Sequence, residues 1–182
     1  AEDGRSLLRI AQELEPDIVT LDISMPQLNG IDAARKLKKL LPRTKLIFVT
    51  MHADPAYVNE AFKAGASGYL LKRSAGSELI QAIQSAMAGQ WYVTPLVAKG
   101  LMEPVITGGM SAVLSDKSLT ARQREVLQLV AEGKTVKEIA TTLMLSPKTV
   151  EFHKSQIMMQ LNLHTTAELT KYALGHGLLA SD

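Results

Sequence analysis

Residues 17–22 read Asp-Ile-Val-Thr-Leu-Asp (DIVTLD), directly behind Pro16. Proline stops a helix, and a short apolar run of this kind is what a strand buried on both faces of a parallel sheet looks like. Two similar runs follow, KLIFVT at 45–50 and SGYLL at 67–71. Helical spacing fills the gaps between them. Residues 6–14 place Leu7, Leu8, Ile10, Ala11 and Leu14 on a helical stripe. Residues 32–41 turn Ala33, Leu37, Leu40 and Leu41 one way and Arg35, Lys36, Lys38 and Lys39 the other, up to Pro42. Residues 55–64 form a helix closed by Gly65, and residues 77–88 another that ends at Gly89. Strands alternating with helices imply an α/β fold, a parallel sheet with helices on both faces.

In such sheets chemistry collects at the carboxyl ends of the strands. Asp22 closes DIVTLD, Thr50 closes KLIFVT and Lys72 closes SGYLLK. A carboxylate, a hydroxyl and an ammonium would therefore meet in one crevice. The carboxylate is a nucleophile of the aspartyl-phosphate kind, and the other two suit phosphoryl oxygens. Singly, each residue also has a plain reading: a turn or cap aspartate, a threonine that satisfies loop backbone, a solvated lysine.

The segments LDISMPQLNGIDAARKL (21–37), KLIFVTMH (45–52) and AGASGYLLKRS (64–74) resemble the receiver domains of response regulators. The resemblance implies a flavodoxin-like, CheY-like fold. It implies Asp22 as the phosphorylated residue, Lys72 as the phosphate-pairing lysine, Thr50 as the switch hydroxyl and Tyr69 as the switch aromatic. Pro26 and Gly30 match the family's loop proline and glycine. The resemblance further implies Mg²⁺, held by Asp22, the backbone of Ser24 and an acidic pair that follows the family's first strand. The acids before Asp22 here are Glu2, Asp3, Glu13, Glu15 and Asp17, and none is placed like that pair. The chain opens with Ala-Glu-Asp-Gly, without a methionine, and reads as a fragment or processed product that starts near the family's second helix. On that expectation the receiver lacks its first elements and DIVTLD has an open edge. The acidic pair must then come from another segment or chain.

After Gly89 the alternation breaks. Thr94-Pro95 reads as an N-cap and first-turn proline opening a short helix to about Met102. Residues 103–117, with Pro104, Gly108 and Gly109, read as a linker. The expected division is a partial receiver at 1–88, a linker at 89–117 and an all-α unit at 118–182.

In that last unit Thr120 with Gln123, Thr135 with Glu138 and Thr165 with Glu168 each have the spacing of a capping box. Ser146-Pro147 adds a cap followed by a first-turn proline. Four helices follow, at about 121–132, 136–143, 147–161 and 166–175, with Gly133 and Gly175 as the closing glycines. Only Met144 and Leu145 separate the second helix from the Ser146 cap, the short turn of a helix-turn-helix. On the third helix Val150, His153, Ile157 and Leu161 form an inward stripe, with His153 as a packed core histidine. Lys148, Glu151, Phe152, Ser155 and Met159 face outward.

The stretch 119–163 (LTARQREVLQLVAEGKTVKEIATTLMLSPKTVEFHKSQIMMQLNL) resembles the LuxR-type DNA-binding domain, with Gln123 and Gln160 in place of the family's usual Glu and Lys. The resemblance implies that Lys148, Glu151, Phe152 and Ser155 face the major groove of double-stranded DNA. Lys137, Thr149 and Lys154 would then lie near phosphates, which set register without reading sequence.

Composition narrows the alternatives. With 46% hydrophobic and 21% charged residues the chain can bury a core, and with no cysteine it forms neither disulfides nor thiolate metal sites. The histidines, His52, His153, His164 and His176, lack ligand spacing. No apolar run is long enough to span a membrane, and a cytoplasmic setting is expected. A net charge of +2 is a weak pointer to nucleic acid, so the motif carries that expectation. The expected function is a non-enzymatic, DNA-binding transcriptional regulator of a two-component phosphorelay. Its partners would be a sensor histidine kinase and a second copy of the chain on DNA. The alternative is a constitutive DNA binder with a degenerate, non-phosphorylated receiver. An autonomous phosphotransferase or hydrolase would need a nucleotide loop, a Ser/His/Asp set or a metal cluster, none of which is present in the sequence. A regulator that senses a small molecule would need a ligand pocket where residues 1–88 carry the receiver pattern.

Overall fold

The computed structural model describes residues 1–99 and 119–179, which divide into two compact units. Residues 5–23 and 30–99 make the first. Residues 119–179 make the second, and the short segments Glu2–Gly4 and Ser24–Asn29 group with it.

In the first unit the order is α1 (Gly4–Leu14), β1 (Ile18–Leu21), α2 (Gly30–Leu40), β2 (Lys45–Thr50), α3 (Pro55–Lys63), β3 (Gly68–Leu71), α4 (Lys72–Met87) and β4 (Tyr92–Val93). The strands form one parallel sheet in the order β1-β2-β3-β4. Central position explains composition: β3 is buried along its whole length, as is β2 from Leu46 to Phe48. Ile47 and Leu70 pack with Ala82 and Ala86 of α4, and Ile18, Val49, Leu79 and Ile83 close around them. The other parity, with Phe48 beside Tyr69, is equally buried. Residues buried on both faces must be apolar at both parities, hence the unbroken runs. β1 lies at an edge, and its Thr20 is exposed.

Three sequence expectations change here. Lys72 follows the last residue of β3 directly, but it is already the first residue of α4, which begins five residues ahead of the expected Ser77. No side chain caps this helix, so the sequence carries no cap signal for its start. Nor does the sheet stop at Gly89, because Tyr92 and Val93 pair in parallel with Gly68 and Tyr69. Finally, Thr94 does precede a helix that opens at Pro95, its carbonyl accepting from the Val97 and Ala98 N–H groups (2.9 and 3.0 Å), but its hydroxyl bonds elsewhere. The hydroxyl accepts from the Leu71 N–H (3.3 Å) and donates to Glu78 (2.9 Å). Residues 95–99 are helical and Val97 is buried. The expected end of that helix at Met102 and the linker stretch 103–117 lie outside the described residues.

The second unit contains α5 (Ala121–Ala131), α6 (Val136–Leu143), α7 (Pro147–Leu161) and α8 (Thr166–Gly175). Thr120, Thr135 and Thr165 each close a full capping box, and Ser146 accepts from the Thr149 N–H. Such caps satisfy helix-end N–H groups and contribute about 1 kcal/mol each. The core joins Val126, Leu127, Leu129 and Val130 of α5, Ile139 and Leu143 of α6, Val150 and Ile157 of α7, and Leu169 and Ala173 of α8. Arg122 ties α5 to the end of α6 through the Leu143 carbonyl (2.6 Å). Met144, in the left-handed conformation at φ 53°, turns the chain between α6 and α7. Asn162, at φ 54°, ends α7 the same way. Beyond α8 the left-handed glycine is Gly177, and Gly175 belongs to the helix.

Candidate functional site

Sheet register builds the first candidate site. Leu21 lies level with Phe48, and Thr50 with Leu71, so Asp22, Thr50 and Lys72 all fall at the carboxyl ends of neighbouring strands. Lys72 Nζ lies 2.7 Å from Asp22 Oδ2. The Ile23 N–H donates to Asp22 Oδ1 at 2.6 Å. The lysine side chain is half exposed, so the pair adds little to stability; it places a cation beside a nucleophilic oxygen. Gly30 holds the backbone behind Asp22, donating its N–H to the Ile23 carbonyl (2.8 Å). A Cβ there would lie 1.8 Å from the Asp22 carbonyl oxygen, so no other residue fits.

Thr50 and Tyr69 are fully buried. They converge on the backbone of His52, a residue that sequence reasoning passed over. The Tyr69 hydroxyl donates to the His52 carbonyl at 2.8 Å, and the His52 N–H donates to Thr50 Oγ1 at 3.4 Å. The imidazole packs on Tyr57 with ring centroids 4.5 Å apart. Burial lowers the His52 pKa, Asp22 and Asp54 oppose that, and Lys72 adds to it. Tyr69 is pushed well above the ordinary phenol range, first by burial and then by Tyr57, Asp22 and Asp54. Its hydroxyl is therefore a neutral donor. The only signal for His52 in the sequence is its place two residues after Thr50.

Receiver domains normally bind Mg²⁺, an ion that requires about six oxygens in octahedral array. Asp22 is one carboxylate, with its two oxygens already engaged by Ile23 and Lys72. Ser24, two residues on, would add a backbone carbonyl. No group of three or more His, Cys, Asp or Glu side chains placed to hold a metal occurs among the described residues. The residues present do not fit the ion.

The second candidate site is α7. Val150 is 0% exposed and Ile157 1%, while Leu161 and Met158 pack on the core from its margin. His153 is not a core residue. It is partly exposed, with its ring against the edge of Phe152, whose own exposure is 59%. At about 100° per residue the phase of Val150 and Ile157 leaves His153 at the rim of the packed stripe. Lys148, Glu151 and Ser155 are exposed on the outward stripe with Phe152 and Met159. Lys154 lies to one side and donates to Thr166 Oγ1 (3.2 Å). Thr149 is partly buried, its hydroxyl 2.8 Å from Ser146 Oγ, and Lys137 is exposed on α6. The result is a helix with a dry side that fixes it and a polar, cationic and aromatic side that faces out.

Comparison with known proteins agrees with both halves. A family model described as response regulator receiver domain matches residues 1–84, and one described as bacterial regulatory proteins, luxR family, matches residues 117–173. The chain is 37% identical to the oxygen regulatory protein NreC of Staphylococcus epidermidis, over 98% of this chain and 85% of that protein. It is 35% identical to the transcriptional regulatory protein MctR of Rhizobium johnstonii, over 95% and 78%. Among solved structures, RcsB of Salmonella enterica serovar Typhimurium, bound to promoter rprA in the presence of phosphomimetic BeF3−, superposes with a TM-score of 0.57 at 29% identity. That match covers 94% of this chain and 81% of RcsB. The chain belongs to the two-component response regulators that join a receiver domain to a LuxR-type DNA-binding domain, a family of transcription factors and not of enzymes. No helix among the described residues is long and apolar enough to cross a membrane.

Proposed function

We propose that the chain is a transcription regulator switched by phosphorylation of Asp22. The observation that carries this reading is the 2.7 Å pair between Lys72 Nζ and Asp22 Oδ2 at the strand ends. An oxygen of Asp22 attacks the donor phosphorus and the donor group leaves. The new phosphoryl group brings up to two negative charges, and the Lys72 ammonium is in place to pair with its oxygens. Thr50 and Tyr69 both hold the backbone of His52. A Thr50 hydroxyl drawn to a phosphoryl oxygen would let go of that backbone, which is how charge at Asp22 becomes movement. The phosphodonor is a sensor histidine kinase, and the setting is cytoplasmic.

The output is double-stranded DNA. The outward face of α7 enters the major groove, with Lys148, Glu151, Phe152 and Ser155 toward base edges and Lys137, Thr149 and Lys154 toward phosphates. A homodimer on repeated half-sites fits this family, and RcsB structures include two dimers bound to two parallel DNAs. One observation favours a second reading, a constitutive DNA binder: among the described residues no group of three or more His, Cys, Asp or Glu side chains is placed to hold a metal beside Asp22.

Intact-mass measurement after incubation with a small-molecule phosphodonor and Mg²⁺ separates the two. With an acidic pair supplied in a longer form of the chain, one phosphoryl group is expected, and none on the Asp22→Asn variant. Labelling that persists in Asp22→Asn removes Asp22 as the acceptor. No labelling together with intact DNA binding establishes the constitutive reading.

A further inference from the structure

The outward face of α7 carries a single acid, Glu151, set among Lys148, Phe152 and Ser155. Lys148 and Lys154 stand three residues to either side, the spacing at which helix charges pair. Yet among the described residues Glu151 has no hydrogen bond or ion pair, and Lys154 is turned to Thr166 instead. The carboxylate thus stands exposed and uncompensated on the face that is to meet DNA, which carries one negative charge per ~1.7 Å. An acid there weakens binding to every sequence unless a donor answers it.

In the major groove the base edges differ in what they offer a carboxylate, which only accepts. Guanine presents two acceptors, N7 and O6. Thymine presents an acceptor, O4, and a methyl group. Adenine presents the N6 donor beside the N7 acceptor. Cytosine presents the N4 amino donor with no acceptor next to it on its own edge. We infer that Glu151 is a specificity-determining residue that accepts from the N4 amino group of a cytosine at one position of each half-site and repels the other bases there. This rests on the reading of α7 as the groove-facing helix. The exposed Phe152 ring beside Glu151 sharpens the choice, because water shed around it strengthens both the good contact and the bad ones. Specificity built on a repulsive element of this sort does not require tight binding.

Selection from a random-sequence duplex library with the whole chain tests the inference, using wild type, Glu151→Ala and Glu151→Gln. Glu151 is exposed, and circular dichroism checks that both variants keep their helices. Wild type is expected to recover a half-site with cytosine fixed at one position. Glu151→Ala is expected to lose preference at that position alone, with roughly tenfold weaker binding to the selected site and no loss on duplexes that carry another base there. Glu151→Gln is expected to move the preference toward adenine, which a side-chain amide matches at N6 and N7. An unchanged sequence preference in Glu151→Ala overturns the inference. So does an equal gain in affinity for all duplexes, the mark of a merely solvated charge. If wild type recovers no preferred sequence at all, the DNA-reading role of α7 falls, and the inference with it.

Discussion

The crevice around Asp22 and the outward face of α7 are assembled in opposite ways. Asp22, Thr50 and Lys72 lie up to fifty residues apart and meet only because three strands are in register. Lys148, Glu151, Phe152 and Ser155 lie within one half of one helix, brought together by its own turn and fixed by Val150 and Ile157 beneath. The first site is a product of topology; the second is a product of local geometry plus one packed stripe. A topological site is disturbed by anything that shifts a strand. A helical face tolerates any change that leaves its phase alone.

The strongest way to break this contrast is to attack the phase. Val150→Asp places a charge at a fully buried position, at a cost above about 4 kcal/mol, a large part of the ~5–15 kcal/mol that stabilises a domain. Hydrogen exchange should show α5 to α8 losing protection while β1 to β3 keep theirs. Loss of protection in the sheet as well would mean that the two units are one cooperative fold.

A milder change sharpens the contrast within the helical site itself. Lys154 lies beside the outward stripe, so Lys154→Ala should weaken binding to all duplexes alike and reduce the salt slope by ~1. Affinity measured across a salt series checks this. A change in base preference would place Lys154 in the groove and widen the reading face.

The smallest effect concerns pH. The Thr135 hydroxyl, then the Thr135 backbone N–H and the Lys134 charge, hold Glu138 below the ordinary carboxylate range; backbone N–H groups of His164 and Thr165 do the same for Glu168. Their folded-state values lie below the unfolded ones. The stabilisation is therefore complete above the unfolded carboxylate value and is lost as pH falls through the folded one. Thermal unfolding of the helical unit should show a shallow fall at acid pH that flattens in a Glu138→Gln, Glu168→Gln double variant. An unflattened curve would assign the acid sensitivity elsewhere.

Local and topological features differed in the same way in how far the sequence revealed them. The four helices of the second unit were legible almost to the residue, since a capping box is written within four positions and needs no distant partner. The sheet was legible as a pattern of apolar runs, and Asp22 and Thr50 as strand-end residues. Lys72 was legible as a strand-end residue too, but the start of α4 was placed five residues late because no side chain caps it. Thr94 was legible as the residue before a helix at Pro95, but not its hydroxyl's bond to Glu78, sixteen residues away. β4 escaped notice because two paired residues are too few to show a period. His52 carries no local signal beyond its place two residues after Thr50, as its role depends on a buried tyrosine one strand over. His153 was placed inward by a spacing rule that does not resolve the rim of a stripe from its centre.

The separation of stripes on α7 bears on how such regulators diverge. The side chains that hold the helix, Val150 and Ile157, are not those that face outward, and the turns at Met144 and Asn162 set its ends independently of both. Codons 148, 151, 152 and 155 are thus free to drift without a cost in folding. If the outward face reads DNA as proposed, a duplicated copy of this gene would acquire a new set of target promoters by substitution at a few of them, with its sheet left untouched. Rewiring of output and retention of input are, in this architecture, separate mutational events.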